Sequence, residues 1–266
     1  MVSVAVPGSS LSDEPNMEGR ARKASVIARA CAIFAVGRIL VYADGDRRDG
    51  ERLAALLRYA EAPQYLRRAL YPRTAALRYA GVMSPLGISS HSVTPDPRRI
   101  TGGEAREAVV VSARGRRFID AGLGRLLPYH GRAPPGRRIT VMFRGGPPGL
   151  PYKEVGRSEV PGYWGYVVRE RAGLRRTLAE WEGRVIIASR RGRPAGRALR
   201  SPPDAGTLLV FGSPERDVHE ILGGRAGGVR DAATVNFFPG QSTRTVRLEE
   251  AVLGALSVIN SMGAKS

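Results

Sequence analysis

The sequence contains little cysteine or histidine and no long apolar run, and each shortage excludes a class of protein or site. The single cysteine, Cys31, excludes an intramolecular disulfide, and in a predicted helix we expect it to be a buried filler. Three widely separated histidines with one cysteine give no support for a metal site. No apolar run could span a membrane, and the first ten residues lack the basic start and long apolar core of a signal peptide. We therefore expect a cytoplasmic protein without a metal.

The sequence does have a large excess of positive charge, with a formal net charge of +18 and a pI of about 11.1. Of its 42 basic residues, three are lysines and the rest arginines. Basic side chains release counterions when they bind phosphates, so this excess predicts a nucleic acid partner. A solvated arginine-rich surface and an anionic membrane surface are the alternatives. The 266 residues, 42% of them hydrophobic, suffice for one large domain, or for a domain with a smaller insert.

Short apolar runs alternate with helical periodicity through the first 70 residues. We predict strands over 2–6 and 38–42, and helices over 18–36, 49–60 and 63–70. Strands and helices that alternate at this spacing are typical of a parallel sheet. The first helix is expected to bury an apolar face made of Val26, Ile27, Ala30, Ile33 and Phe34. The second is expected to turn three leucines inward, Leu53, Leu56 and Leu57.

Between residues 91 and 165 glycine, proline and turn signals become frequent, and the pattern indicates a small β-rich insert, an OB-like barrel. We predict strands over 108–112, 116–120 and 138–143, with a hairpin turn at residues 113–115. Residues 93–165 carry 13 basic and six acidic side chains, and a small basic barrel is a common platform for RNA. The predicted domains are therefore this insert, 91–165, and an α/β domain formed by 1–90 and 166–266.

After the insert the α/β pattern resumes, with strands predicted over 184–189, 208–211 and 233–237. Helices are predicted over 173–181, 215–222 and 246–260, the last capped by Thr245. Three segments follow strands, 189–193, 212–217 and 236–245. Ligands of parallel α/β sheets bind beyond the carboxyl ends of strands, so these segments form a candidate site. On composition alone, turns and helix caps are the favoured explanation of these segments.

Familiar cofactor motifs are missing from the sequence. There is no G-x-x-x-x-G-K-[ST] phosphate loop, and Gly122-Leu123-Gly124 lacks the third glycine of a dinucleotide-binding loop. Gly212-Ser213 follows a predicted strand, but the G-x-S-x-G of a hydrolase elbow is absent. These absences leave the three strand-end segments as the main candidates for chemistry.

Two of those segments carry a resemblance to a known class. Residues 209–216, LVFGSPER, and residues 236–250, which open with NFFPGQ, resemble two signatures of the SPOUT methyltransferases. The opening VAVP and LSDEP, then AEAPQYL at 60–66, RYAG at 78–81 and YWGY at 163–166, are similar to one archaeal and eukaryotic branch of RNA methyltransferases with an inserted barrel. The resemblance covers nearly the whole chain, and its motifs are specific in combination.

The resemblance implies a fold, a cofactor and an assembly. The C-terminal third is expected to form a trefoil knot, a rare exception to ordinary chain topology. S-adenosylmethionine is expected to bind among the three segments, and the chain is expected to be a homodimer. The implied cofactor-binding residues are Ser189, Phe211, Gly212, Ser213, Asn236, Phe237, Phe238, Gly240, Thr243, Thr245 and Val246.

By the same resemblance we expect methylation of an RNA base, and some members of the branch act on uridine N3 in ribosomal RNA. That atom carries a proton, so we assign catalysis to Glu215 and Arg216, followed by Arg190. A helix N-terminal charge for Glu215 and a phosphate contact for Arg216 are the alternatives. Predicted RNA-binding arginines follow the strand predicted over 184–189 or lie in the insert: Arg191, Arg193, Arg197, Arg114, Arg116 and Arg117.

Two other functions fit the same sequence. A non-catalytic RNA-binding or ribosome-assembly factor would keep the basic surface without needing the cofactor. A DNA-binding architectural protein is the third possibility. Binding of S-adenosylmethionine separates the methyltransferase from the non-catalytic factor. Competition between RNA and DNA tests the DNA-binding protein.

Overall fold

A computed structural model describes residues 1–91, 93–224 and 232–263. The chain divides into two compact units. The first comprises Met1–Ala60, Ala75–Pro85 and the chain from Tyr166 onward, and the second comprises Glu61–Thr74 and Leu86–Gly165. The strands are β1 (Ser3–Pro7), β2 (Arg38–Tyr42), β3 (Ala105–Ala113), β4 (Arg116–Asp120), β5 (Leu127–Pro128), β6 (Arg138–Phe143), β7 (Tyr152–Val155), β8 (Val167–Arg171), β9 (Val185–Pro194), β10 (Leu208–Val210) and β11 (Ala232–Asn236). The helices are α1 (Met17–Ile33), α2 (Arg47–Glu61), α3 (Gln64–Leu70), α4 (Leu174–Ala179), α5 (Ala195–Ala198), α6 (Val218–Ile221) and α7 (Leu248–Gly263).

The first unit is built on a six-stranded parallel sheet with the strand order β11-β9-β10-β1-β2-β8. Val4 in β1 lies between Ile39 of β2 and Leu209 of β10, and all three are fully buried. Consecutive apolar residues form central strands because both faces of such a strand are covered. The predicted parallel sheet is confirmed.

Helix α1 contacts α7, and its buried face matches the predicted one only in part, since Ile27 and Ala30 are buried as predicted. Its buried residues include Ala24, Ile27, Ala28 and Cys31, which share one face at helical spacing. Val26 and Ile33 were predicted to be buried and are 41% and 58% exposed, so that part of the prediction is wrong. The alanine side chains on this face are small, so a neighbouring helix can approach α1 closely. The prediction for α2 is confirmed, since all three of its leucines are buried.

Two predicted boundaries near the sheet edge are corrected. Residues 189–193 were predicted as a loop, but β9 continues to Pro194. Thr234 of β11 pairs with Ile187 and the next residue, Val235, pairs with Arg193, so residues 188–192 bulge out of the ladder. Helix α6 begins at Val218 rather than at residue 215, because the Asp217 side chain accepts the backbone N–H of His219 as its N-cap.

Helix α7 is also capped differently from the prediction. It begins at Leu248, and the Glu250 carboxylate accepts the backbone N–H of Arg247 at 2.9 Å. Thr245 therefore lies upstream of the cap, and the prediction that it caps this helix is wrong. No helix among the described residues is both long and apolar enough to cross a membrane.

The second unit contains a curled antiparallel sheet with the strand order β5-β4-β3-β6-β7. The predicted hairpin between β3 and β4 is confirmed: Ala113 pairs with Arg116, and both loop residues, Arg114 and Gly115, have positive φ as in a type I′ turn. Side chains link the two edge strands, since Tyr152 Oη donates to the Pro128 carbonyl oxygen at 2.5 Å.

A network of buried charges stabilises the second unit and includes residues of strands β3 and β6. Glu61 and Glu107 are 6% and 1% exposed, and both accept hydrogen bonds of 2.6 Å from Arg138. Trp164 Nε1 and Thr140 Oγ1 also donate to Glu107, at 2.5 and 3.0 Å. Buried carboxylates are tolerated here because their oxygens are paired.

Candidate functional site

The three strand-end segments predicted to form a site line one cavity of about 550 Å³ in the first unit. The cavity lies where β10 and β11 end and beside the bulge of β9. Parallel sheets place ligands at this edge because the turns that follow the strands converge there.

The cavity brings together most of the predicted site residues. Glu215, Arg216 and Arg190 line it, and of the predicted cofactor-binding residues only Gly240 and Thr243 do not. The predicted cofactor-binding residues that line it are Ser189, Phe211, Gly212, Ser213, Asn236, Phe237, Phe238, Thr245 and Val246. Ala188 and Asp217 also line the cavity.

A serine and an aspartate join the bulge of β9 to the start of α6. Ser189 Oγ donates to Asp217 Oδ2 at 2.7 Å and accepts the backbone N–H of Arg191 at 3.1 Å. The other Asp217 oxygen accepts the backbone N–H of His219 at 2.9 Å. One carboxylate therefore fixes both the helix cap and the bulge on which Ser189 lies.

The end of β11 is tied to the same bulge by Asn236. Its Oδ1 accepts the backbone N–H of Phe238 at 2.9 Å, and its Nδ2 donates to the carbonyl oxygen of Arg190 at 3.2 Å. Both bonds use the side-chain amide, so Asn236 shapes the backbone around the cavity.

The segment between β10 and α6 is a tight turn. The backbone N–H of Ser213 donates to the Arg216 carbonyl at 2.9 Å, and Ser213 Oγ accepts the Arg216 N–H at 2.9 Å. A Cβ on Gly212 would lie 2.6 Å from the Arg216 carbonyl oxygen, so the turn requires glycine there. Glu215 and Arg216 are exposed at its tip.

Arg216 reaches across the sheet edge to Asp44, which follows β2. Arg216 Nη2 donates to the Asp44 carbonyl oxygen and lies 3.3 Å from the carboxylate. The Asp44 side chain is fully buried, and its oxygens accept Ser9 N at 3.0 Å and Ser9 Oγ at 2.5 Å. The guanidinium is thus held by a carboxylate that is itself fixed.

Tyr42 fixes the backbone of the cavity wall through a hydrogen bond. Its hydroxyl donates to the carbonyl oxygen of Phe211 at 2.6 Å. Burial, and next the negative charge of Asp44, raise the pKa of Tyr42 well above its ordinary value. The phenol therefore stays protonated and keeps donating to Phe211 at physiological pH.

A buried lysine joins the rim of the cavity to α7. Lys23 Nζ lies 2.5 and 2.7 Å from the two oxygens of Asp13, a residue that lines the cavity. The same nitrogen lies 3.2 Å from Glu249 Oε2 in α7, and the Lys23 side chain is 2% exposed. A second ion pair joins Glu14, next to Asp13, to Arg247, which directly precedes α7, at 3.1 Å.

The predicted RNA-binding arginines lie in two places. Arg191 is at the cavity rim and pairs with Glu220 at 2.6 Å, whereas Arg193 and Arg197 are exposed outside the cavity. Three more belong to the second unit, at the exposed β3–β4 hairpin: Arg114, Arg116 and Arg117.

Sequence reasoning missed five residues that shape the site. Asp217 could have been found, because Asp217 and Glu220 have the spacing of a capping box, and both of its bonds form here. The other four act through contacts distant in sequence, for which no local signal exists: Ser9, Asp13, Tyr42 and Asp44.

Comparison with known proteins gives the site its context. Residues 1–259 match a family model described as "Putative RNA methyltransferase". The chain is 32% identical to the 28S rRNA (uridine-N(3))-methyltransferase of Homo sapiens over 97% of this chain and 77% of that protein. The Mus musculus protein of the same name is 31% identical, over 97% and 75% of the two chains. An uncharacterized protein of Halobacterium salinarum is 32% identical over 96% of both chains. Since the family model spans nearly the full length, the chain belongs to this family of RNA methyltransferases.

Proposed function

We propose that the chain methylates N3 of a uridine in ribosomal RNA, with S-adenosylmethionine as the methyl donor. The observation that carries the proposal is the convergence of three strand-end segments on one cavity, in a chain of the RNA methyltransferase family. Relatives about 30% identical over nearly the whole chain bear the name of this activity.

The cavity suits such a donor by size and by chemistry. Its volume of about 550 Å³ lies within the range of roughly 300–1,000 Å³ for small-molecule sites. Phe211 and Phe237 offer apolar surface for an adenine ring, and Ser189 and Thr245 offer hydroxyls. Asp13 and Arg244, of opposite charge, suit the amino and carboxylate groups of the donor's methionine part.

The chain's own residues must handle the uridine proton. When bound, the donor supplies a methyl group on a sulfonium; the N3–carbon bond forms as the sulfur–carbon bond breaks, and the N3 proton leaves to a base. We assign the base to Glu215, whose exposed carboxylate lines the cavity. Arg216, with Arg190 nearby on the wall, would stabilise the negative charge on the uracil oxygens.

The same proposal includes RNA binding by the arginines outside the cavity. Arg193 and Arg197 are exposed close in sequence to the cavity segment, where they would hold phosphates. The β3–β4 hairpin of the second unit, with Arg114, Arg116 and Arg117, would add contacts as an OB-like RNA-binding domain over residues 91–165.

We further propose the SPOUT fold with its trefoil knot, and a homodimer. The strand order β11-β9-β10 supports the knot, because the chain must return past β9 after β10. Val26 and Ile33, exposed on one face of α1, with exposed Leu253 on α7, support a second copy on this surface. Tracing residues 222–250 in a crystal tests the knot, and light scattering of Ile33→Asp tests the dimer. A cytoplasmic location fits the one buried, unpaired cysteine.

Calorimetry with S-adenosylmethionine, followed by radiolabelled methyl transfer to ribosomal RNA and nucleoside mass spectrometry, tests the function. We expect saturable binding and 3-methyluridine in the digest. Absence of both binding and transfer would overturn the proposal, and RNA binding by the same protein would then favour the non-catalytic RNA-binding factor. Transfer to another base would keep the methyltransferase and correct its target.

A further inference from the structure

A second cavity lies at the same edge of the parallel sheet, beyond the ends of β2 and β8. Its volume is about 510 Å³, and Asp44, which follows β2, and Gly173, which follows β8, are on its wall. The first cavity lies at the ends of β10 and β11 and beside the bulge of β9, so the two occupy neighbouring parts of one sheet edge.

Arg216 lines both cavities. Its Nη2 atom is held by Asp44, and within the described residues Nε and Nη1 make no hydrogen bond. A guanidinium has five N–H donors in a planar fork, so the remaining donors can bind carbonyl oxygens of a ligand. A group in the second cavity can thus share this arginine with a ligand in the first.

The remaining wall of the second cavity has the character of a nucleotide site. Ala172, which is exposed, and Ile221, which is partly buried, provide apolar surface, which a flat base requires on its faces. Arg175 is exposed, and its Nη2 is anchored on the Leu222 carbonyl at 2.7 Å, leaving a fixed cation at the rim for a phosphate. The volume falls in the range of about 300–1,000 Å³ for small-molecule sites.

We propose that this second cavity binds the target uridine nucleotide, with the uracil against Ala172 and Ile221 and its carbonyl oxygens toward Arg216. The inference rests on the proposed function, because it assigns the acceptor of that reaction to a place. Uridine N3 lies on the pairing edge, so the nucleotide must leave its helix to enter, and a cavity of this size separate from the cofactor cavity accommodates it.

Photo-crosslinking with 4-thiouridine 5′-monophosphate tests the site without requiring activity. We expect adducts on peptides that contain Ala172–Ala179 or Ile221, and loss of these adducts in Ala179→Trp. Ala179 is exposed and lines the cavity, so the indole fills the space without disturbing the core. Ala75→Trp is the matched control, since Ala75 is exposed and lines neither cavity. Adducts confined to other peptides, or adducts that persist in Ala179→Trp, would overturn the proposal.

Methyl transfer separates this inference from the proposed function. Ala179→Trp is expected to bind S-adenosylmethionine like the wild type but to transfer methyl groups about 100-fold more slowly, because the acceptor is displaced. If wild type is active and Ala179→Trp is equally active, the second cavity is not the acceptor site, although the methyltransferase assignment stands. If wild type neither binds the donor nor methylates RNA, the proposed function fails, and the crosslinks alone decide whether the cavity binds uridine nucleotides.

Discussion

The Ser189 hydroxyl donates a 2.7 Å hydrogen bond to the Asp217 carboxylate, which joins the bulge of β9 to the cap of α6. Ser189→Ala is expected to lower the free energy of unfolding by about 1 kcal/mol, because the bond to Asp217 and the longer bond from the Arg191 N–H are lost. Affinity for S-adenosylmethionine is expected to fall about tenfold, equivalent to 1.4 kcal/mol. Urea unfolding and calorimetry measure the two effects.

Asp217→Ala should have a larger effect on stability. It removes the N-cap of α6 as well, which costs about 1 kcal/mol more. Ser201→Ala, at an exposed serine outside the cavity, is the matched control. Cofactor binding by Ser189→Ala equal to that of the wild type would show that the bond has no part in the site.

Arg216 and Glu215 are expected to affect the rate rather than cofactor binding. Arg216→Ala should lower kcat about 100-fold, because charge on the uracil oxygens loses its donor, and Arg216→Lys should recover part of it. Glu215→Gln should lower kcat about 100-fold near neutral pH through loss of the base. Its rate should recover at higher pH, where the uridine N3–H ionises without help.

The recovery with pH distinguishes a base from a residue that only shapes the turn. Glu182→Gln, at an exposed carboxylate that lines neither cavity, is the control. If the pH profile of the Glu215→Gln rate runs parallel to that of the wild type, without recovery at higher pH, Glu215 only shapes the turn and is not the base.

The parts of the fold that the sequence predicts best are those with a local signal. Strand β2 is predicted with its exact bounds because its apolar residues are consecutive, and the Arg114-Gly115 hairpin follows from its turn residues. Strand β8 is not predicted, because three of its five residues are charged and it lies at the sheet edge, where burial is incomplete.

The candidate site was predicted as a set of segments but not as a set of contacts. The segments follow strands, and strand ends of a parallel sheet must converge. Arg216 and Asp44, however, are 172 positions apart, and the two residues that Lys23 bridges lie on separate segments. Periodicity and turn residues describe only near neighbours, so pairings of this kind are set by the tertiary fold.

Lys23 tests how strongly the cavity rim depends on a buried charge. Lys23→Met would leave Asp13 and Glu249 facing each other without a cation, and we expect a loss of about 3 kcal/mol of stability. Arg22→Met is the matched control in the same helix; its partner Glu18 is 2.7 Å away, but both side chains are exposed, so about 0.3 kcal/mol is expected. Equal losses in the two variants, measured by urea unfolding, would contradict the assigned role of burial.

His91 makes the stability of the second unit depend on pH. Burial lowers the pKa of His91 below its ordinary 6.5, which outweighs the hydrogen bond from Nε2 to the Glu61 carbonyl and the Glu61 charge. The folded state therefore binds fewer protons than the unfolded state, so the stability that neutral His91 contributes is present above pH 6.5 and is lost as the pH falls through the folded pKa.

We expect the His91 imidazole signal in NMR, assigned by its absence in His91→Asn, to titrate with a midpoint below 6.5. The difference in unfolding free energy between pH of about 7.5 and about 5 should be smaller in His91→Asn than in the wild type. A midpoint at or above the ordinary value, or an unchanged difference, would show that the imidazole is not held neutral by burial.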